Sequence, residues 1–263
     1  MQTTDRAVGE ALGYLACAPD IAGPAPRDVF IGVEQYRGRL RIVKEHAVVK
    51  EVLNSRAAVE FLHILLFEYS IGDRPQAPLL HAACLRRNGR RLLLAGAGGA
   101  GKSTLAVLLI DVGYAFEGDE HVFVQAEQVV VRPRACRIKE SSLRLLPNAM
   151  AEVAAKSPCY HRYDGERIFN VDPRLFGSSW WIEQGSVDCI FVLRCNHGGF
   201  SSIRPMRSSA AVEFLLTETA WPTGSRAGAV AAVTALAAKA KAYEVSLGDH
   251  ASAIRCINSV VLD

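Results

Sequence analysis

Short β-branched runs dominate the first part of the chain. DVFIGV (28–33), RLRIV (39–43) and AVVKEV (47–52) are separated by Arg-Gly and Lys-Glu-His, a pattern that predicts three strands. In RAAVEFLHILLFEY (56–69), apolar side chains fall at 58, 59, 61, 62, 65 and 66, the spacing of one helix face. His63 lies among these apolar neighbours and reads as a packed residue of that helix. GDRPQAP (72–78) is a loop. It marks a boundary between a small N-terminal α+β domain, 1–72, and a larger domain, 73–263.

The second domain opens with PLLHAACLRRNGRRLLLAG (78–96). Asn88-Gly89 between two apolar runs predicts a two-residue hairpin of type I′. A clean ladder then pairs positions that sum to 177: Arg87 faces Arg90, Leu85 faces Leu92, and His81 falls opposite Gly96. The pairs Arg86-Arg87 and Arg90-Arg91 flank this turn and read as solvated. A helix is expected over 102–112 with Gly113 at its C-terminal end. Strand, acidic corner and strand follow in GYAFEGDEHVFVQ (113–125), then a second hairpin into VVVRP (129–133). Residues 141–170 are polar and carry no periodic signal. VDCIFVLRC (187–195) is a buried strand, NHGGF (196–200) a loop, 209–220 and 227–242 helices, and 243–249 a further strand. The alternation predicts an α/β fold.

Composition narrows the class. The 263 residues are 50% hydrophobic, enough for a substantial core. A net charge of +3, with no dominant basic run, argues against nucleic acid as a partner. Seven cysteines, an odd number without C-x-x-C, suit a reduced, cytoplasmic protein with buried thiols rather than a metal site. The N-terminus lacks the basic start and apolar core of a signal peptide. The Ala-rich run 227–238 is shorter than the about 20 residues a spanning helix needs, so no membrane association is expected.

The candidate chemistry lies at 96–104. Gly96-Ala97-Gly98-Gly99-Ala100-Gly101-Lys102-Ser103 fits G-x-x-x-x-G-K-[ST], and Thr104 follows. Glycines let the backbone curl with N–H groups inward as an anion nest. The helix starting near Lys102 aims its positive end at phosphates. Lys102 adds a full charge, and Ser103 offers a hydroxyl to Mg²⁺. The same letters contain G-x-G-x-x-G at 96, 98 and 101, a dinucleotide pattern. The Lys-Ser-Thr that follows directly, and the Gly-containing corner at Glu117 and Asp119, favour a nucleoside triphosphate instead. No apolar strand ends in Asp: CIFVL runs into Arg194 and VVV into Arg132. The acidic candidate is therefore Gly118-Asp119-Glu120, which a βαβ unit would bring beside the loop. There, one carboxylate could serve Mg²⁺ and the other an attacking hydroxyl.

A histidine on the strand hairpinned to this loop, the loop itself, and Gly-Asp-acidic after its helix together resemble the HPr kinase/phosphorylase group. The chain is more closely similar to the HPr kinase-related proteins, including those of lasso-peptide and other peptide-modification pathways. The similarity spans roughly 76–250 and is carried by 79–124, VRPRACRIKESS (131–142), FNVDPRLFG (169–177) and IRPMRSSAAVEFLLTET (203–219). The resemblance implies a P-loop kinase core related to ATP-type phosphoenolpyruvate carboxykinases, with a mixed sheet. It implies ATP and Mg²⁺ as cofactors, and transfer of the γ-phosphate to a serine hydroxyl on a peptide or small protein. Asp119 matches the family's base, and His81 the histidine beside it. Glu120 matches the acid near the metal, with Glu where the family usually has Asp. Lys139 corresponds to a phosphate contact and Glu140 to a metal contact. A homo-oligomer is implied by the resemblance alone. Two other readings of the same core stay open: a kinase of a small hydroxyl metabolite, and an ATP-binding regulatory module without transfer. The residues before 73, the loop 196–200 and the tract 132–137 are candidates for docking a substrate or partner. His161, His197 and Arg167 read as surface loop residues.

Overall fold

The computed structural model describes residues 2–13, 19–21, 29–72, 74, 76–162, 164–196, 199–220 and 225–262. Its centre is a six-stranded mixed sheet in the order Ser202–Pro205, Lys241–Leu247, Cys189–Cys195, Arg90–Gly96, Ala82–Arg87, Ala115–Gly118. The strands Lys241–Leu247, Cys189–Cys195 and Arg90–Gly96 are mutually parallel. The outer strands run antiparallel to their neighbours. Strands covered on both faces read as continuous apolar runs, as LLLAG and CIFVL do. Alternate side chains go to opposite cores. Leu92, Leu94, Phe191 and Leu193 pack with the helices Lys102–Asp111 and His250–Val261. Leu93, Ala95, Ile190 and Val192 pack with Ser208–Thr217 and Arg226–Lys239. That second core also takes Val122, Val124, Val129 and Val131 from the five-stranded sheet beside it.

The hairpin forms in the register its turn dictates, from Arg87↔Arg90 to Ala82↔Ala95, with Asn88 and Gly89 at φ 50° and 78°. The ladder stops one pair short of His81 and Gly96. The His81 N–H instead donates to the Glu218 carbonyl at 2.9 Å, and Leu79–Leu80 turns away to pair with Val122 and Phe123. Arg91 departs from the solvated reading: it is 3% exposed and bound to the buried Glu117.

Residues 141–170, which carry no sequence periodicity, hold a 3-10 turn (Glu140–Leu145), a helix (Asn148–Ala155) and the strands Cys159–His161 and Arg167–Val171. These elements are too short to show a period. The helix Arg226–Lys239 ends three residues earlier than expected, and the strand Lys241–Leu247 begins two earlier. The latter strand lies inside the sheet, flanked by Ser202–Pro205. A further helix, His250–Val261, follows this strand, beyond the elements the sequence pattern predicts. Asp249 caps it by accepting the Ser252 N–H at 2.7 Å, and Ala253, Ile257 and Val261 recur every fourth residue on its buried side.

The N-terminal strands appear as Ile31–Tyr36, Arg39–Lys44 and Ala47–Val52, followed by the helix Ser55–Gly72. The apolar core is continuous past position 72, joining Leu62 and Leu65 to Tyr160 and Ile168. No helix among the described residues is long and apolar enough to cross a membrane. Six cysteines among the described residues are free, with Cys84, Cys136 and Cys189 buried; Cys17 lies outside the described residues.

Gly118 ends the strand that leads into the acidic corner. A Cβ there would stand 2.1 Å from Val131 Cγ1. Gly118→Ala should therefore destabilise the protein by about 1–3 kcal/mol. The loss should appear as a lower urea midpoint at unchanged slope; wild-type stability would show that the corner has room.

Candidate functional site

The strand Arg90–Gly96 feeds the loop 97–101, and the helix Lys102–Asp111 leaves it. Two constraints explain the glycines. At Gly96 a Cβ would meet Ala100 Cβ at 3.0 Å and the Leu193 carbonyl oxygen at 3.2 Å. Gly99 and Gly101 adopt left-handed φ of 81° and 91°. Ala97, Gly98 and Gly99 are exposed, while Ala100 is buried. Gly101 occupies the N-cap position, so no side chain caps the first-turn N–H groups of the helix. These amides and the helix dipole make its start a place for an anion.

The loop opens onto a cavity of about 610 Å³. Gly99, Ala100, Gly101, Lys102, Ser103 and Thr104 line it, and His81, Glu120, Arg137 and Lys139 reach it from other elements. Lys102 is 5% exposed. Its Nζ donates to the carbonyls of Gly96 and Ala97, the latter at 3.2 Å. Burial lowers its pKa, opposed by the carboxylates of Asp119, Glu218 and Glu120.

Asp119 is 2% exposed and lies behind Ser103 rather than on the cavity wall. It accepts a hydrogen bond from the Glu120 N–H at 2.8 Å, and the nearby Ser103 hydroxyl also favours its charged form. Burial, and then the Glu120 carboxylate, raise its pKa above the ordinary aspartate value. Glu120, at φ 69°, turns the opposite way. Its carboxylate is gripped by Arg134 and by Arg137, whose Nη1 lies 2.6 and 2.7 Å from the two oxygens. Burial alone would raise its pKa, but the two guanidiniums outweigh that and hold it at about 2. The chain's adjacent carboxylates thus have opposite environments.

His81 Nδ1 stands 3.5 Å from Glu218 Oε2. Sequence reasoning missed Glu218: it is far along the chain, and only the crossing of the Leu79–Leu80 segment with Thr219–Ala220 brings it here. Lys139 pairs with Glu166 at 3.3 Å at the cavity rim. Glu140 does not line the cavity; its carboxylate pairs with Arg167 at 2.6 Å on the surface. His161 is exposed on Cys159–His161, and His197 lies outside the described residues. Among the described residues, no three His, Cys, Asp or Glu side chains converge as a self-sufficient metal site.

No family model matches this chain, and no curated protein matches it. Among solved structures, the HPr(Ser) kinase/phosphatase from Coxiella burnetii is similar at 13% identity, over 70% of this chain and 90% of that one, with a TM-score of 0.33. At that TM-score the likeness assigns nothing to this chain.

The arginine tract that grips Glu120 also presses on two imidazoles. His63 and His121 are held neutral, each with its pKa lowered to about 3, by burial first and by Arg134, Arg132 and Arg137 next. The unfolded chain binds protons at both rings below 6.5, and the folded chain does so only near 3. Stability should therefore be full above 6.5 and fall as the pH drops through that window. The ring C–H resonances of both histidines should show no titration step near 6.5. A normal step for either would mean that its ring is solvated.

Proposed function

We propose that the chain is an ATP-dependent phosphotransferase, acting on a hydroxyl acceptor of the serine type in a peptide or small protein. The observation that carries this reading is the buried carboxylate of Asp119 beside Ser103 and Lys102 of a G-x-x-x-x-G-K-S loop. The loop amides, the start of the helix Lys102–Asp111 and the Lys102 ammonium suit the negative charge of a triphosphate.

The residues present also fit Mg²⁺, which typically takes one or two protein oxygens and completes its shell with phosphate and water. Ser103 would hold it, and it would supply neutralisation of phosphate charge. Glu120 fits that role less well, because Arg134 and Arg137 already occupy its oxygens.

In the reaction, the acceptor oxygen forms a bond to the γ-phosphorus as the bond to the β-phosphate oxygen breaks. ADP leaves with that electron pair, and the acceptor's proton is relayed through water to Asp119, which lies behind the cavity wall. Burial raises the proton affinity of this carboxylate, while Ser103 and Lys102 hold its charged form in place. His81, backed by Glu218, faces the cavity and helps position the phosphates or the acceptor. Positioning and electrostatics supply most of the barrier reduction.

One observation favours a second reading, an ATP-binding module without transfer: the acid next to Asp119 is committed to two arginines. Labelled ATP with a pool of serine peptides and a pool of hydroxyl metabolites separates the cases. Label in peptide supports the first reading, label in a metabolite moves the acceptor class, and binding without transfer leaves the module. Lys102→Ala should weaken ATP binding by about tenfold or more. Asp119→Asn should keep ATP binding and lower transfer by about 10²–10⁴-fold; unchanged turnover would remove Asp119 from proton transfer.

A further inference from the structure

The three parallel strands Arg90–Gly96, Cys189–Cys195 and Lys241–Leu247 end side by side, with Leu193 beside Gly96 and Cys195 beside Leu247. In open α/β sheets, ligands lie beyond the carboxyl ends of such strands. The strand that leads to Asp119 is on one flank of the loop strand, separated from it by Ala82–Arg87. Cys189–Cys195 and Lys241–Leu247 are on the other flank. A triphosphate on the loop, with its terminal phosphate toward Asp119 and His81, would leave its nucleoside to this second flank.

That flank touches the loop. Cys195 Sγ lies 3.9 Å from the Gly99 carbonyl oxygen, and a Cβ on Gly101 would stand 2.8 Å from Leu247 Cδ2. The segments that follow the two strands hold each other closely. The Asn196 N–H donates to the Leu247 carbonyl at 2.8 Å, and the Asp249 N–H to the Gly199 carbonyl at 3.1 Å. Ser201 is buried; its hydroxyl accepts from the Gly248 N–H at 2.9 Å and donates to the Asp249 carbonyl at 2.7 Å. A Cβ on Gly248 would stand 1.8 Å from the Gly199 oxygen, so only glycine fits there. Phe200 lies between the anchored Gly199 and Ser201, and its own carbonyl accepts from Asn196 Nδ2 at 3.3 Å. Yet Phe200 is 85% exposed, more than any other large apolar residue among the described ones. A held backbone that leaves an aromatic ring in water, beside a loop suited to phosphates, matches a stacking platform for a base.

We propose that Phe200 stacks on the base of the nucleotide whose triphosphate the loop holds. This makes it a specificity-determining residue, one that separates ATP from polyphosphates without a base. The inference rests on the reading of 96–104 as a triphosphate loop.

Calorimetric titration of the full chain with ATP and with inorganic tripolyphosphate, each with Mg²⁺, tests it. Phe200→Ala should weaken ATP by about tenfold and leave tripolyphosphate unchanged. In Phe200→Trp the ATP affinity should be retained, and ATP but not tripolyphosphate should quench the added indole. If neither ligand binds the wild type, the triphosphate reading falls and this assignment with it. If ligand binds but a folded Phe200→Ala keeps full ATP affinity, or weakens both ligands alike, the assignment alone falls.

Discussion

A buried ion pair sets the geometry of the whole site. Arg91 meets Glu117 with two parallel hydrogen bonds, Nε to Oε2 at 2.8 Å and Nη2 to Oε1 at 3.0 Å, and both residues are almost fully buried. The pair bridges the loop strand Arg90–Gly96 and the strand Ala115–Gly118 across the intervening Ala82–Arg87, whose Cys84 thiol donates to Glu117 at 3.0 Å. Carbonyls of Glu183 and Ser186 take two further guanidinium donors. Removing one partner of such a pair leaves an uncompensated charge, at a cost of about 3–5 kcal/mol. The strand that ends at Gly118 delivers Asp119, and the strand that ends at Gly96 delivers the loop. Their separation is thus fixed from beneath by a contact that touches neither.

Much of this was legible in the sequence, for identifiable reasons. A two-residue Asn-Gly turn allows one register, so the pairing from Arg87↔Arg90 outward could be written down in advance. The loop of 96–103 is a local motif, and the helix after it follows from local rules. Long-range partners were not legible. Arg91 and Glu117 read as ordinary charged positions near turns, since nothing in a linear pattern says that they meet. Glu218 reaches His81 only because two very short strands cross. Between 136 and 171, strands of three to five residues are stabilised by packing on Ile138, Tyr160 and Phe169 rather than by any periodic signal.

The acidic corner shows how two neighbouring carboxylates acquire different chemistry. Asp119, just past the end of the strand Ala115–Gly118, is buried near Ser103. Glu120 enters the left-handed region, and its side chain turns to Arg134 and Arg137. A non-glycine residue in that region carries strain that its surroundings must sustain, and here two ion pairs sustain it. Burial first, and these arginines next, hold His63 and His121 uncharged, so the N-terminal helix shares part of the electrostatics of the loop cavity.

The posture of Lys102 has a consequence for discrimination among ligands. Its ammonium already has two oxygen neighbours, the carbonyls of Gly96 and Ala97, and is largely stripped of water. An incoming anion gains this cation only by competing with those carbonyls. On the proposed reading, a triphosphate would have to displace these carbonyls from the ammonium, so the loop would favour ligands of high charge density over singly charged ones.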